Sequence, residues 1–167
     1  MQKSRMQEEA TAKALGGKRR QGSGSCPWLP QDVRSDKFLV QDKSTSKPSI
    51  RIYRKDLEKL EEDALCAGKI PAFVFGYSEG DRIKDNWIAF PIEGLIMEVL
   101  EDPLLFTCQW IGRANKSVSI RKSYLAGIIN KPALGVIFCF ELNGGVYEWV
   151  AMPLAYFQDN YFQKMLS

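Results

Sequence analysis

Between Asp32 and Lys43 the chain sets an aspartate, a polar break and a lysine where they could act on one phosphate. The stretch reads Asp32-Val33-Arg34-Ser35-Asp36-Lys37-Phe38-Leu39-Val40-Gln41-Asp42-Lys43. Apolar Phe38, Leu39 and Val40 run into Gln41-Asp42-Lys43, as a buried strand runs out into an exposed polar end. Residues two apart in a strand share a face, so Gln41 and Lys43 point the same way. Ser35-Asp36-Lys37 reads as a turn that folds Asp32 back beside Gln41. An aspartate, a polar oxygen and a lysine then converge at one strand end, where they can hold a hard cation and set an amine beside a phosphate. The chain has no histidine, which excludes a Ser-His-Asp triad, a histidine-based nuclease and histidine zinc ligands.

The elements that must position these groups are legible on both sides. Residues 3–15 read as a helix, with Met6, Ala10 and Ala14 at i, i+4 and i+8 and Gly16 or Gly17 as the stop. Glu8 lies on it, either as support for a metal site or as a solvated helix carboxylate. Lys18-Arg19-Arg20-Gln21-Gly22-Ser23-Gly24-Ser25 is a basic Gly/Ser-rich loop. Its amides, hydroxyls (Ser23, Ser25) and cations could contact phosphate, although a flexible linker has the same composition. After Lys43 come a polar loop over 44–49 and a short strand, Ser49-Ile50-Arg51-Ile52. Arg54 to Ala67 reads as a helix, with Leu57, Leu60, Ala64 and Ala67 as its apolar stripe and Gly68 as its stop. Glu58, Glu61, Glu62 and Asp63 on its other face read as a solvated acidic surface. Ala72-Phe73-Val74-Phe75 suits a central strand covered on both sides. Residues 78–86 read as a polar turn region, and Trp87-Ile88-Ala89-Phe90 as the returning strand, ended by Pro91. The order α-β-β-β-α-β-β predicts one sheet.

These residues resemble a known family. Asp, then (Glu/Asp)-X-Lys about ten residues on at a strand end, is similar to the PD-(D/E)XK nuclease superfamily. The surroundings resemble its phage and archaeal Holliday-junction-resolvase branch: Glu8, Gly16-Gly17, Ser23-Gly24-Ser25, Asp32-Val33, Gln41-Asp42-Lys43, Ser49-Ile50 and Lys69-Ile70-Pro71-Ala72 occur in that order. The resemblance covers about residues 5–92. It implies a restriction-endonuclease-like α/β fold, a mixed sheet flanked by helices. It further implies a divalent-metal-dependent DNA endonuclease with Asp32, Gln41, Lys43 and Glu8 as the catalytic set. Mg²⁺ or Mn²⁺ would be held by Asp32, Gln41 and Asp42, the last through its carbonyl. Lys18, Arg19, Arg20, Ser23, Ser25, Lys47 and Arg51 would hold nucleic acid. DNA, branched or duplex, is the implied partner, and a homodimer is allowed for. One departure stands out: the family's metal-binding glutamate is Gln41 here, a neutral amide. The alternative is therefore a catalytically dead nuclease-fold protein that binds nucleic acid or protein.

Composition bounds the rest. At 167 residues, 45% hydrophobic and 26% charged, the chain has the make-up of a soluble globular protein. No apolar run approaches the ~18–20 residues that cross a bilayer, and no apolar signal core opens the chain, so no membrane partner and a cytoplasmic location are expected. Cys26, Cys66, Cys108 and Cys139 are far apart and read as reduced, mostly buried thiols. Residues 1–55 hold 13 Lys or Arg against 5 Asp or Glu, a balance of +8, and the remainder holds 10 against 15, a balance of −5. That asymmetry points to a nucleic-acid face on the N-terminal third, against a solvated basic tail.

The second half reads as a degenerate copy of the first, dividing the chain into residues 1–98, nuclease-like with a basic arm, and 99–167, a repeated β-α-β half. Aligned without gaps, 38–57 and 106–125 share Phe38/Phe106, Gln41/Gln109, Ser49/Ser117, Ile52/Ile120 and Leu57/Leu125. Lys131-Pro132-Ala133 resembles Lys69-Ile70-Pro71-Ala72, and Trp149-Val150-Ala151-Met152-Pro153 resembles Trp87-Ile88-Ala89-Phe90-Pro91. Trp110 and Ile111 replace Asp42 and Lys43, so this half is expected to be structural, covered by a last helix with Leu154, Phe157, Tyr161 and Met165 on one stripe.

Overall fold

The stripe and glycine stop read at residues 54–67 form a helix with those bounds, Arg54–Ala67, burying Leu57, Leu60 and Ala64, while Ala67 in the last turn is exposed. Gly68 ends it at φ 63°, ψ 36°, and the Lys69 amide reaches back to the Ala64 carbonyl at 2.9 Å. That is the left-handed turn a glycine enters without a Cβ clash. The structure, a computed structural model, describes residues 2–19, 33–79, 82–93, 109–129 and 135–163.

In chain order the elements are α1 (Gln2–Ala14), β1 (Lys18–Arg19), β2 (Val33–Arg34), β3 (Phe38–Thr45), β4 (Ser49–Tyr53), α2 (Arg54–Ala67), β5 (Ile70–Glu79) and β6 (Arg82–Pro91). Then follow β7 (Gln109–Ala114), β8 (Ser117–Arg121), α3 (Lys122–Ile129), β9 (Val136–Leu142), β10 (Gly145–Pro153) and α4 (Leu154–Asn160). Eight strands form one mixed sheet in the order β1-β2-β3-β5-β6-β10-β9-β7, while β4 and β8 form a separate two-stranded sheet. The protein is thus α/β, with a mixed sheet flanked by helices.

The expectation of a single sheet is corrected at β4. Its residues alternate outward and inward, with Ile50 and Ile52 buried beneath, so it lies as a covering layer rather than as a rung. Ile50 and Ile52 join Leu57, Leu60, Phe73, Phe75, Trp87, Val118, Ile120 and Leu125 in one apolar cluster between the large sheet and the layer of α2, α3 and the β4–β8 ribbon. A second cluster lies on the opposite face, where Ala12, Leu15, Leu154 and Phe157 meet Phe38, Val40, Val74, Ile88 and Phe90. The expected polar turn over 78–86 is also corrected. β5 runs on to Glu79 and β6 begins at Arg82, so strand pairing extends to Glu79↔Arg82. Long hairpin arms bury backbone groups in the ladder that a loop would leave to water.

The two halves meet across β6 and β10 with a self-complementary register. Trp87 stands opposite Pro153, Trp149 opposite Pro91, and Ala89 opposite Ala151 at the centre. The ribbon repeats the arrangement: Ser49 faces Arg121, Tyr53 faces Ser117, and Arg51 faces Ser119 at its centre. On either side the strand pairs match, β3 parallel to β5 and β7 parallel to β9, each followed by an antiparallel step. Trp87 and Trp149 are both fully buried in the same cluster. Lys131, Pro132 and Ala133 lie outside the described residues, as does Met165. The last helix does bury Leu154, Phe157 and Tyr161. It covers both halves at the seam: Phe157 is 5.0 Å from Phe90 and 6.1 Å from Phe38 between ring centroids, and Val150 and Met152 of β10 and Ile137 of β9 share its cluster.

Candidate functional site

β3 sorts its side chains by parity. Phe38 and Val40 pack toward α1, and Leu39 packs toward α2 and the ribbon. Alternation therefore sends Asp42 to the α1 face and Gln41 with Lys43 to the other. The contacts agree. Thr11 Oγ1 donates to Asp42 Oδ1 at 3.0 Å, and Gln7 Nε2 lies 3.4 Å from the same oxygen and donates to the Lys43 carbonyl at 3.1 Å. Lys43 Nζ donates instead to the Arg51 carbonyl of β4 at 2.7 Å and lies 5.0 Å from the centre of the Tyr53 ring.

This corrects the reading of α1. Of the stripe of Met6, Ala10 and Ala14 only Ala14 is buried: Met6 is 47% exposed and Ala10 is exposed, whereas Gln7, Glu8, Thr11, Ala12 and Leu15 are buried with Ala14. The polar members of that face have a partner to meet, since Asp42 accepts from two of them. Glu8 is accordingly a buried carboxylate and not a solvated one. It rides on the helix that covers the Asp42 face, away from the face of Gln41 and Lys43.

The turn expected at Ser35-Asp36-Lys37 is present. β2 returns antiparallel to β3 with Val33 opposite Val40 and Arg34 opposite Leu39. It is held at both ends: Ser35 Oγ donates to the Leu15 carbonyl at 3.3 Å, Lys69 Nζ to the Ser35 carbonyl, and the Ile70 amide to the Lys37 carbonyl at 2.8 Å. Asp32, Arg20, Ser23 and Ser25 lie outside the described residues. The backbone of Lys18 and Arg19 forms β1, paired with Arg34 and Val33. Lys47 and Arg51 are exposed, in the β3–β4 turn and on β4.

Among the described residues no group of three or more Cys, Asp or Glu is placed to hold a metal ion. On the Lys43 face the oxygen at the family's glutamate position is the Gln41 amide, and the Asp42 carboxylate is on the other side of the sheet. Mg²⁺ is held by one or two carboxylates in most protein sites. The described side chains therefore do not by themselves fit that ion.

Elsewhere the expectations divide. Glu58 and Glu62 are exposed, as read, and Asp63 pairs with Lys59 at 3.3 Å. Glu61 instead accepts from the Tyr147 hydroxyl of β10. Burial raises the Glu61 carboxyl above its ordinary range against the opposing effect of that hydrogen bond, and burial likewise raises the Tyr147 hydroxyl. Cys139 is buried and Cys66 exposed, both free thiols, so the expectation of burial fails at Cys66. Cys26 and Cys108 lie outside the described residues. Among the described residues no helix is long and apolar enough to cross a membrane.

Sequence reasoning missed Thr11, Gln7 and Tyr53. The first two share the i, i+4 spacing of one helix face with Leu15, a signal hidden because two of the three are polar. Tyr53 falls two residues after Arg51 in an alternating strand and so shares its outward face. No protein-family model, no curated protein and no solved structure matches this chain.

Proposed function

We propose that this protein is a DNA-binding, divalent-metal-dependent endonuclease of the Holliday-junction-resolvase-like type, its cleavage limited by Gln41, that takes branched or duplex DNA along the open end of β3. The observation that carries the reading is the pairing of Gln41 and Lys43 on one face of β3, beside a β2 hairpin whose register ends at Val33 opposite Val40. This is the end of the strand at which the family sets its metal and lysine. The basic balance of residues 1–55 supports a polyanionic partner. In this reading Lys43 contacts a backbone phosphate, and Lys18, Arg19, Arg20, Lys47 and Arg51 neutralise its neighbours. A divalent ion, where bound, would supply Lewis-acid chemistry at the phosphate with Asp32 as its carboxylate. The neutral Gln41 leaves that ion short of one charge.

A second reading, a binding module without cleavage, is favoured by the engagement of Lys43 with Arg51 and Tyr53 and by the turn of Asp42 toward Thr11. One substitution separates the two. Gln41→Glu changes charge with almost no change in volume. Under the first reading it creates or raises Mg²⁺- or Mn²⁺-dependent cleavage of labelled four-way junction, duplex or single-stranded DNA, and the gain disappears with Asp32→Ala or Lys43→Ala. If Gln41→Glu binds manganese and cuts none of these, the binding module is the correct reading.

A further inference from the structure

The ribbon of β4 and β8 has one face committed to the core and one left open. Ile50, Ile52, Val118 and Ile120 point inward and are buried. The outward set is Ser49, Arg51 and Tyr53 from the first half, and Ser117, Ser119 and Arg121 from the second. It contains two guanidiniums, three serine hydroxyls, one phenol and no carboxylate. Arg51, Ser119 and Arg121 are exposed, as are Lys47 and Lys116 in the turns that lead into the two strands. Of the acids beside the ribbon, Glu58 pairs with Arg54 at 3.2 Å and Glu79, at the end of β5, pairs with Lys122, while Asp56 lies in the first turn of α2.

From this we infer that the outward face of the β4–β8 ribbon, built jointly by both halves, is a docking surface for the sugar-phosphate backbone of duplex DNA, with Arg51 and Arg121 as its central contacts. The inference deepens the DNA-binding reading above and rests on it. It gives the second half a role beyond completing the sheet. Three features favour this occupant. First, charge complementarity: guanidiniums with flanking hydroxyls are the groups that most often contact phosphate oxygens. Second, spacing: Arg121 lies opposite Ser49, and Ser119 opposite Arg51, so the two arginines are diagonal neighbours about 7–8 Å apart at the backbone. Duplex DNA carries a charge every ~1.7 Å of its axis, so a ribbon face of that pitch meets several phosphates at once. Third, the six outward positions of the ribbon carry no carboxylate, so nothing on the face itself repels a polyanion.

One end of the ribbon opens into a cleft of about 780 Å³, bordered by Lys47 and Arg121, by the paired Lys122 and Glu79, and by the hydroxyl-bearing Ser46, Ser49 and Ser123. At the other end the Tyr53 ring meets two ammoniums, Lys43 at 5.0 Å and Lys55 at 5.9 Å from its centre. The basic track therefore extends past the ribbon at both ends, and on the Tyr53 side it reaches Lys43 itself.

The test uses the full chain and a short fluorescent duplex, with affinity measured across a salt series. Each phosphate contact contributes about −0.9 to the slope of log K against log salt. Arg51→Ala with Arg121→Ala is expected to flatten that slope by about 1.8. Between about 50 and 200 mM salt the wild type then loses roughly tenfold more affinity than the variant. Arg51→Lys with Arg121→Lys should keep the wild-type slope. Ser119→Glu, which removes no cation but puts a carboxylate between them, should weaken binding at low salt; all three sites are exposed, and circular dichroism checks the fold. If the alanine pair leaves the slope unchanged while Arg19→Ala with Arg20→Ala flattens it, the ribbon inference is overturned and the DNA-binding reading stands. If the wild type binds no duplex at low salt, the DNA-binding reading fails and takes the ribbon with it.

Discussion

Thr11→Val isolates the contact that ties α1 to β3. Thr11 is fully buried, and its hydroxyl donates to Asp42 Oδ1 at 3.0 Å. Valine keeps the shape and the buried methyl but removes the donor. A hydrogen bond to a charged group contributes about 1.5–3 kcal/mol. Gln7 Nε2 also donates to that oxygen, but at a long 3.4 Å, so it offsets little of the loss. The expected loss is therefore about 1.5–3 kcal/mol in denaturant unfolding, with an unchanged m-value. For a chain of this size each 1 kcal/mol moves Tm by about 2–4 °C, so the midpoint should fall by about 3–12 °C. Asp42→Ala closes a double-mutant cycle. Once the acceptor is gone, Thr11→Val should cost much less, because the hydroxyl then has no carboxylate to serve. Two results would refute the reasoning: a Thr11→Val protein within about 0.5 kcal/mol of wild type, or a double variant whose loss equals the sum of the two singles.

Two further perturbations bear on the joint between the halves. Burial holds the Glu61 carboxyl above its ordinary 4.5 in the folded protein. The native state thus binds that proton more tightly than the unfolded chain does. This contribution to stability is complete below about pH 4.5 and is lost as pH rises through the folded value. Glu61→Gln still accepts from the Tyr147 hydroxyl and has no charge to desolvate, so its unfolding free energy should fall less than that of wild type as pH rises above about 4.5. Parallel titrations of the two proteins by chemical denaturation check this, and equal slopes would remove burial as the cause. Ala89 and Ala151 face each other at the centre of the β6–β10 seam with no exposed surface. Ala89→Val and Ala151→Val should each cost about 1–3 kcal/mol by overpacking, and by similar amounts because the two positions are equivalent across the seam. A marked difference between them in thermal unfolding would mean that the two halves pack the centre differently.

Local chemistry made several features readable in the chain. The α2 stripe and Gly68, the buried run of β5, the turn at Ser35-Asp36-Lys37 and the shared face of Gln41 and Lys43 depend on neighbours within a few residues. Turn propensity, helical period and strand alternation act over that range. The Trp-x-Ala-x-Pro landmark, recurring at Trp87 and Trp149, likewise pointed to the matched strands that the register brings together. What lay beyond local pattern was set by partners far along the chain. The buried face of α1 is partly polar because Asp42, more than thirty residues on, waits under Thr11, and an apolar-stripe reading cannot see that acceptor. β4 leaves the large sheet because its hydrogen-bonding partner is β8, in the other half, and its isoleucines find cover beneath α2 and α3. Glu61 leaves the solvated acidic face because Tyr147 reaches it from β10. Arg121, unremarkable in its own strand, gains meaning only beside Arg51, across a pairing that joins strands from the two halves of the chain. Side-chain type and spacing determine which groups can act, but burial and charge pairing are collective properties, and only the folded chain decides which groups meet.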